Sequence, residues 1–219
     1  MMNDKRAKSF EQMQPVWRKY LSLFRSYPDL FVDMINPDSK KFKLYFYQRM
    51  ILRIIFRYRK TYFTLTRGSS KSFLQILALI LRCIMFPEIK LMITAPQKQM
   101  ASAIAQQNIE SIWSFLPLLK NECRSIRFEK DYTKLIFHNG SVLDVVANSE
   151  SSRGMRRHGL SVEEIIHERF DEESFNAVLL PILANNRIAA CGGEDPYEMH
   201  KPITVVTTAG TKQSFAFNV

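Results

Sequence analysis

The sequence predicts an α/β domain built on a mainly parallel sheet and preceded by an N-terminal helical segment. Three observations carry that expectation. After residue 60, short β-branched runs alternate with longer segments of helical apolar spacing, which is the pattern of parallel strands joined by crossover helices. A strand-like run, Tyr62 to Thr66, passes through a Gly/Ser turn directly into a helical run over 72–85. The composition is globular: of 219 residues, 46% are hydrophobic and 24% charged. That balance excludes disorder, collagen and coiled coil as whole-chain descriptions, and the length suffices for a core without staples.

Taken in order, residues 9–35 read as helix, with Phe10, Met13, Val16, Trp17, Tyr20, Leu21 and Phe24 on one stripe. Asn36-Pro37-Asp38-Ser39 is a break. Residues 44–58 form the next helix, with Tyr47, Met50, Ile51, Ile54 and Ile55 inward and Arg49, Arg53 and Arg57 outward. Those arginines share a face, which meets phosphates or is simply solvated. Residues 1–43 are therefore taken as a basic helical segment and 44–219 as the α/β domain. Leu91 to Thr94 is a short strand, Ala95-Pro96 a break and 97–115 a helix. Residues 125–129, 133–137 and 141–146 read as short antiparallel strands, with Asn139-Gly140 as a hairpin turn. Residues 160–166 read as strand, 173–184 as helix and Ile203 to Thr208 as a last strand.

The charge is unevenly placed. The chain carries 31 Lys plus Arg against 21 Asp plus Glu, a net +10, and residues 1–60 hold 14 basic and 5 acidic residues, +9 of the total. A basic front with a near-neutral body suggests an anionic partner such as nucleic acid or membrane, or a solubilised surface. Cys83, Cys123 and Cys191 are odd in number and form no CxxC pair. That argues against a disulfide framework or zinc knuckle and fits a reducing cytoplasm. The N-terminus has charge without an apolar run behind it, unlike a signal peptide. The longest apolar run, Phe73 to Met85, is interrupted by Gln75 and Arg82 and is too short to span a bilayer.

Chemistry concentrates at Arg67-Gly68-Ser69-Ser70-Lys71-Ser72. A phosphate-binding loop needs backbone N–H groups, a Lys for the outer phosphates and a hydroxyl for Mg²⁺. Lys71 and Ser72 supply the last two at the start of a helix, whose dipole favours an anion. The usual glycines are missing, Leu65 and Ser70 standing in their places. Read alone, the segment is equally a Gly-Ser turn before a helix. A second strand, Leu160 to Ile166, contains Glu163-Glu164. Neighbours on a strand point to opposite faces unless the strand ends between them, so the pair suits a strand's C-terminal end, where α/β sheets bind ligands. It reads otherwise as part of a solvated acidic edge. Thr207-Thr208-Ala209-Gly210 closes a β-branched strand with hydroxyls and a glycine, and Gln48 precedes the loop with an amide able to pair with an adenine edge.

Together, Tyr47-Gln48, the 67–72 loop, Arg153-Gly154 leading to Glu163-Glu164, and the Thr207–Gly210 ending resemble the ATPase part of the large terminase subunit of tailed bacteriophages. The resemblance runs from about residue 25 onward and includes an Arg, here Arg67, four positions before the Lys. It implies a P-loop NTPase of the RecA-like type, acting as a DNA-packaging ATPase with ATP and Mg²⁺. By the same resemblance Gln48 reads adenine, and Arg67, Gly68, Ser69, Ser70, Lys71 and Ser72 form the Walker A loop. Glu163 takes the Walker B metal-binding place beside Ser72, Glu164 is the catalytic glutamate, and Thr207, Thr208 and Gly210 form the coupling motif. Arg153 matches the region that supplies an arginine finger in trans, with Arg156 and Arg157 as competitors. Implied partners are double-stranded DNA, the portal protein, the small terminase subunit and further copies in a ring, with no membrane, in the host cytoplasm on the procapsid.

Glu163 departs from the usual Asp, and Ser70 from the usual Gly. The family's C-terminal nuclease has no counterpart after the coupling motif, so a truncated member is expected. Two other readings stay open: a helicase-like DNA translocase, and a non-catalytic DNA-binding or assembly fragment with a decayed nucleotide site.

Overall fold

The computed structural model describes residues 19–95, 98–129, 132–147, 155–166, 172–189, 192–195 and 198–208. Proline sets its first boundary. A residue that precedes proline is driven out of the helical region, and Tyr27 stands at φ −133°, ψ 69°. The single helix expected over 9–35 is therefore divided: residues 19–26 are helical, and α1 (Pro28–Ile35) restarts with the proline in its first turn.

α2 (Phe46–Arg57) buries Gln48, Ile51, Leu52, Ile55 and Phe56. The apolar stripe is rotated from its expected position, since Tyr47 and Met50 are exposed. The arginine face also differs from its expectation. Arg49 grips both carboxylate oxygens of Asp33, at 2.6 and 2.7 Å. Arg53 grips Asp29 at 2.8 and 2.7 Å, and Arg57 lies over the Tyr27 ring. Asp29 and Asp33 are one turn apart on α1, so the two helices dock through a charged seam. Spacing shows that arginines share a face and is silent about what lies opposite. Arg49 and Arg53 are thus committed to α1, while Arg57 is exposed.

Seven strands form one sheet in the order β1-β7-β6-β2-β5-β4-β3. They are β1 (Lys60–Thr64), β2 (Lys90–Ala95), β3 (Cys123–Glu129), β4 (Tyr132–Phe137), β5 (Val142–Ala147), β6 (Gly159–Glu163) and β7 (Ile203–Thr207). The pairings from β1 through β5 are parallel, and β4 and β3 add antiparallel. The hairpin between β4 and β5 turns at Asn139-Gly140, where Gly140 has φ +82°. This is the expected α/β sheet with an antiparallel appendage.

Period-two alternation divides the core between the two faces of the sheet. Leu91, Ile93, Leu143 and Val145 join the cluster that contains the buried residues of α3 (Lys71–Met85) and of α4 (Lys98–Phe115). Met92, Val146, Leu160, Val162, Ile203 and Val205 join a second cluster with Phe175, Leu179 and Ile182. Those last residues belong to the segment expected as a helix over 173–184, which is a π-helical turn (Ser174–Leu179) followed by a 3-10 turn (Leu180–Leu183). On β6 the alternation leaves Ser161 and Glu163 for the α3 side. No described helix is long and apolar enough to cross a membrane.

Candidate nucleotide site at the strand ends

The C-terminal ends of β1, β6 and β7 meet the N-terminus of α3. Leu65, standing where a glycine is usual, needs none: its N–H continues the ladder to Thr207 O at 3.0 Å. The chain then turns at Gly68, φ +81°, and again at Ser70, φ +57°. Ser70 holds the left-handed conformation that glycine adopts without cost. Ser69 Oγ donates to Thr66 O at 2.7 Å, closing the turn. α3 begins with no side-chain cap, so its first-turn N–H groups lack intrahelical acceptors and offer themselves to an anion. Arg67 stands exposed on the loop.

β6 ends at Glu163 rather than running to 166, because Glu164 turns into the left-handed region at φ +51°. That turn brings adjacent glutamates to one place. Ser72 Oγ donates to Glu163 Oε1, and Lys71 Nζ lies 3.0 Å from Glu164 Oε1. Glu164 Oε2 also accepts from Thr208 N and Oγ1, at 3.4 and 3.3 Å. Burial pushes the Glu163 carboxyl above its ordinary range, opposed by the Ser72 hydrogen bond. Thr207 is buried and joins the ladder through its carbonyl. Of the sequence-predicted residues, Lys71, Ser72, Glu163, Glu164 and Thr208 are thus assembled at one point. Arg153 and Gly210 lie outside the described residues.

Beside the loop opens a cleft of about 720 Å³, lined by Lys40, Tyr45, Gln48, Ser70, Phe73 and Phe115 among others. That is the volume of a small-molecule site. Gln48 is also engaged locally, its Oε1 accepting from Tyr45 N at 2.9 Å and closing a capping box on α2. Its amide nitrogen is the part left for a ligand.

The arginine competitors separate. Arg157 holds Asp144 at 2.6 and 2.9 Å, and Tyr132 Oη donates to the same fully buried carboxylate at 2.5 Å. Arg156 is exposed. Sequence reasoning misses the Asp144 anchor, since an Asp in a β-branched strand gives no hint of its partner.

The donors suit a nucleotide and its metal. One hydroxyl and one carboxylate, Ser72 and Glu163, are hard oxygen ligands for Mg²⁺, which takes few protein ligands and relies on substrate phosphates. Among the described residues no cluster of three or more His, Cys, Asp or Glu side chains is placed to hold a metal alone.

No protein-family model and no curated protein matches the sequence. Solved structures do. The large terminase of bacteriophage HK97 superposes at TM-score 0.64 with 11% identity, covering 87% of this chain and 39% of its own. A variant ATPase domain of the Thermus phage P74-26 large terminase superposes at TM-score 0.56 with 14% identity, covering 84% and 74%. Another structure of that ATPase domain gives TM-score 0.50 at 14% identity. The chain thus spans about two-fifths of the HK97 protein's length, and its fold is that of the ATPase domain of phage large terminases.

Proposed function

We propose that this chain is the ATPase motor domain of a terminase, hydrolysing ATP to move DNA into a procapsid. The observation that carries the reading is the double pairing at the strand ends, Ser72 with Glu163 and Lys71 with Glu164. A hydroxyl beside a carboxylate is a place for Mg²⁺, and a lysine beside a second carboxylate joins a phosphate-binding cation to a water-orienting base. The terminase fold supports the same reading.

In this proposal the first-turn amides of α3 and Lys71 hold the β- and γ-phosphates, and Arg67 adds charge from the loop. The cleft beside Gln48 takes the base. Mg²⁺, held by Ser72 and by Glu163, supplies neutralisation of phosphate charge when bound. Glu164 orients the attacking water, and its bonds to Thr208 connect the site to the end of β7. Arg153 or Arg156 serves a neighbouring copy, because Arg157 is committed to Asp144. Duplex DNA, the portal, the small terminase subunit and a ring of copies in the host cytoplasm complete the proposal.

The test is nucleotide affinity. Calorimetry with Mg-ATP should show binding by the parent and a loss of about tenfold or more for Lys71→Ala, the scale of a hydrogen bond to a charged group. Equal affinity for both proteins would remove the assignment.

A further inference from the structure

Gln75 sits one turn beyond Lys71 in α3, a helix buried along most of its length. Leu74, Ile76, Leu77, Ala78 and Leu79 around it are all buried, and Gln75 itself is 1% exposed. Its Nε2 donates to Ser161 Oγ at 2.5 Å and to Val162 O at 3.2 Å. Both acceptors lie on β6, immediately before Glu163. Ser161 Oγ in turn reaches Thr204 O on β7 at 3.5 Å, and Thr204 Oγ1 lies 3.1 Å from Thr61 Oγ1 on β1. A buried polar seam therefore runs from α3 across the three strands whose ends form the site.

This seam is a poor device for stability. Among the described residues no group meets Gln75 Oε1, and a buried amide with half its capacity unmet costs more than an apolar side chain of the same size. What the seam does supply is registration. Ser72 and Gln75 are three residues apart, hence on one face of α3, and both reach β6. Ser72 contacts the metal-binding carboxylate and Gln75 the two residues before it. A strand held by backbone ladders alone is fixed relative to its neighbour strands. Gln75 fixes it relative to the helix that carries Lys71 and Ser72.

We infer that Gln75 is a positioning residue: through Ser161 and Val162 it sets the height of Glu163 against Ser72, and so the geometry of the hydroxyl–carboxylate pair that receives Mg²⁺. The inference rests on the nucleotide-site reading above and adds to it a residue that touches neither nucleotide nor metal.

The experiment titrates Mg²⁺ against the binding of a fluorescent, slowly hydrolysed ATP analogue, and separately measures ADP affinity in EDTA. Gln75→Leu keeps the volume and deletes both hydrogen bonds. It should raise the Mg²⁺ concentration for half-maximal effect about tenfold, the usual cost of losing support behind a metal ligand, and leave metal-free ADP affinity at the parental value. Ser161→Ala removes one arm of the contact, should give a smaller shift of the same kind, and carries the test if Gln75→Leu does not fold. An unchanged Mg²⁺ midpoint in a folded variant, or equal loss with and without metal, would overturn the inference and leave Gln75 a packing residue. Parental binding of nucleotide with no Mg²⁺ effect would overturn it while sparing the nucleotide site. No parental nucleotide binding at all would overturn both.

Discussion

Lys71 Nζ is 3.0 Å from Glu164 Oε1, so the cation proposed for phosphate and the carboxylate proposed for water neutralise each other. Phosphate and Glu164 then compete for one ammonium group. Glu164→Gln should free Lys71 and tighten binding of a slowly hydrolysed Mg-ATP analogue by about two- to fivefold, since a partly exposed pair is worth about 0.5–1 kcal/mol. Turnover should fall at the same time, because an amide orients water without accepting its proton. Weaker analogue binding by the variant in calorimetry would show that the pair does not oppose the nucleotide.

Ser70 supplies a second prediction. It occupies the left-handed region at φ +57°, a conformation costing an L-residue about 1 kcal/mol or more. Ser70→Gly should stabilise the folded protein by about 0.5–1 kcal/mol, the relief being partly offset by the greater freedom of glycine when unfolded. Denaturant unfolding measures this directly. A destabilised variant would mean that the serine hydroxyl contributes more than its backbone costs.

The seam between α1 and α2 supplies a third. Burial disfavours an ionised Asp29, yet Arg53 and Arg49 outweigh it and hold the carboxyl below its ordinary value of 3.8. The sign follows: a depressed carboxyl contributes stability above the unfolded value, and that contribution disappears as pH falls through the lower folded value. Asp29→Asn should cost about 1–2 kcal/mol at neutral pH, because Arg53 loses its bidentate partner while Arg49 keeps Asp33. Its cost should shrink as pH falls below 3.8. Unfolding curves of parent and variant that stay parallel across that range would contradict the ion-pair account.

Much of this was legible in the sequence where the chemistry is local. Lys71-Ser72 follows a strand and opens a helix within a dozen residues, and chain order alone places both at the strand's end. Glu163-Glu164 was readable as a site only on condition that the strand stop between them, which the positive φ of Glu164 provides. What escaped the sequence is what depends on the opposite surface. Arg49 and Arg53 face aspartates on α1 because the chain reverses over 36–45 and lays α2 against α1, and nothing in their own spacing shows it. Gln75 reads as an interruption of an apolar run, and its meaning appears only when β6 lies against it. Gln48 lines the cleft beside the loop, and the engagement of its carbonyl by Tyr45 N is not visible in its spacing.

The position of β1 has a mechanical consequence. It ends the sheet, and its only strand neighbour among the described residues is β7. Arg59 O and Leu65 N bond to β7, so parity turns the N–H and C=O groups of Lys60, Tyr62 and Thr64 away from the ladder. The strand that suspends the 67–72 loop is thus gripped along one flank. On that side of the loop a single row of hydrogen bonds bears a lateral load, the packed helix α3 holding the other end, whereas Glu163 sits on a strand with two rows. The strand entering the lysine-bearing loop is thus held by half as many ladders as the strand that carries Glu163.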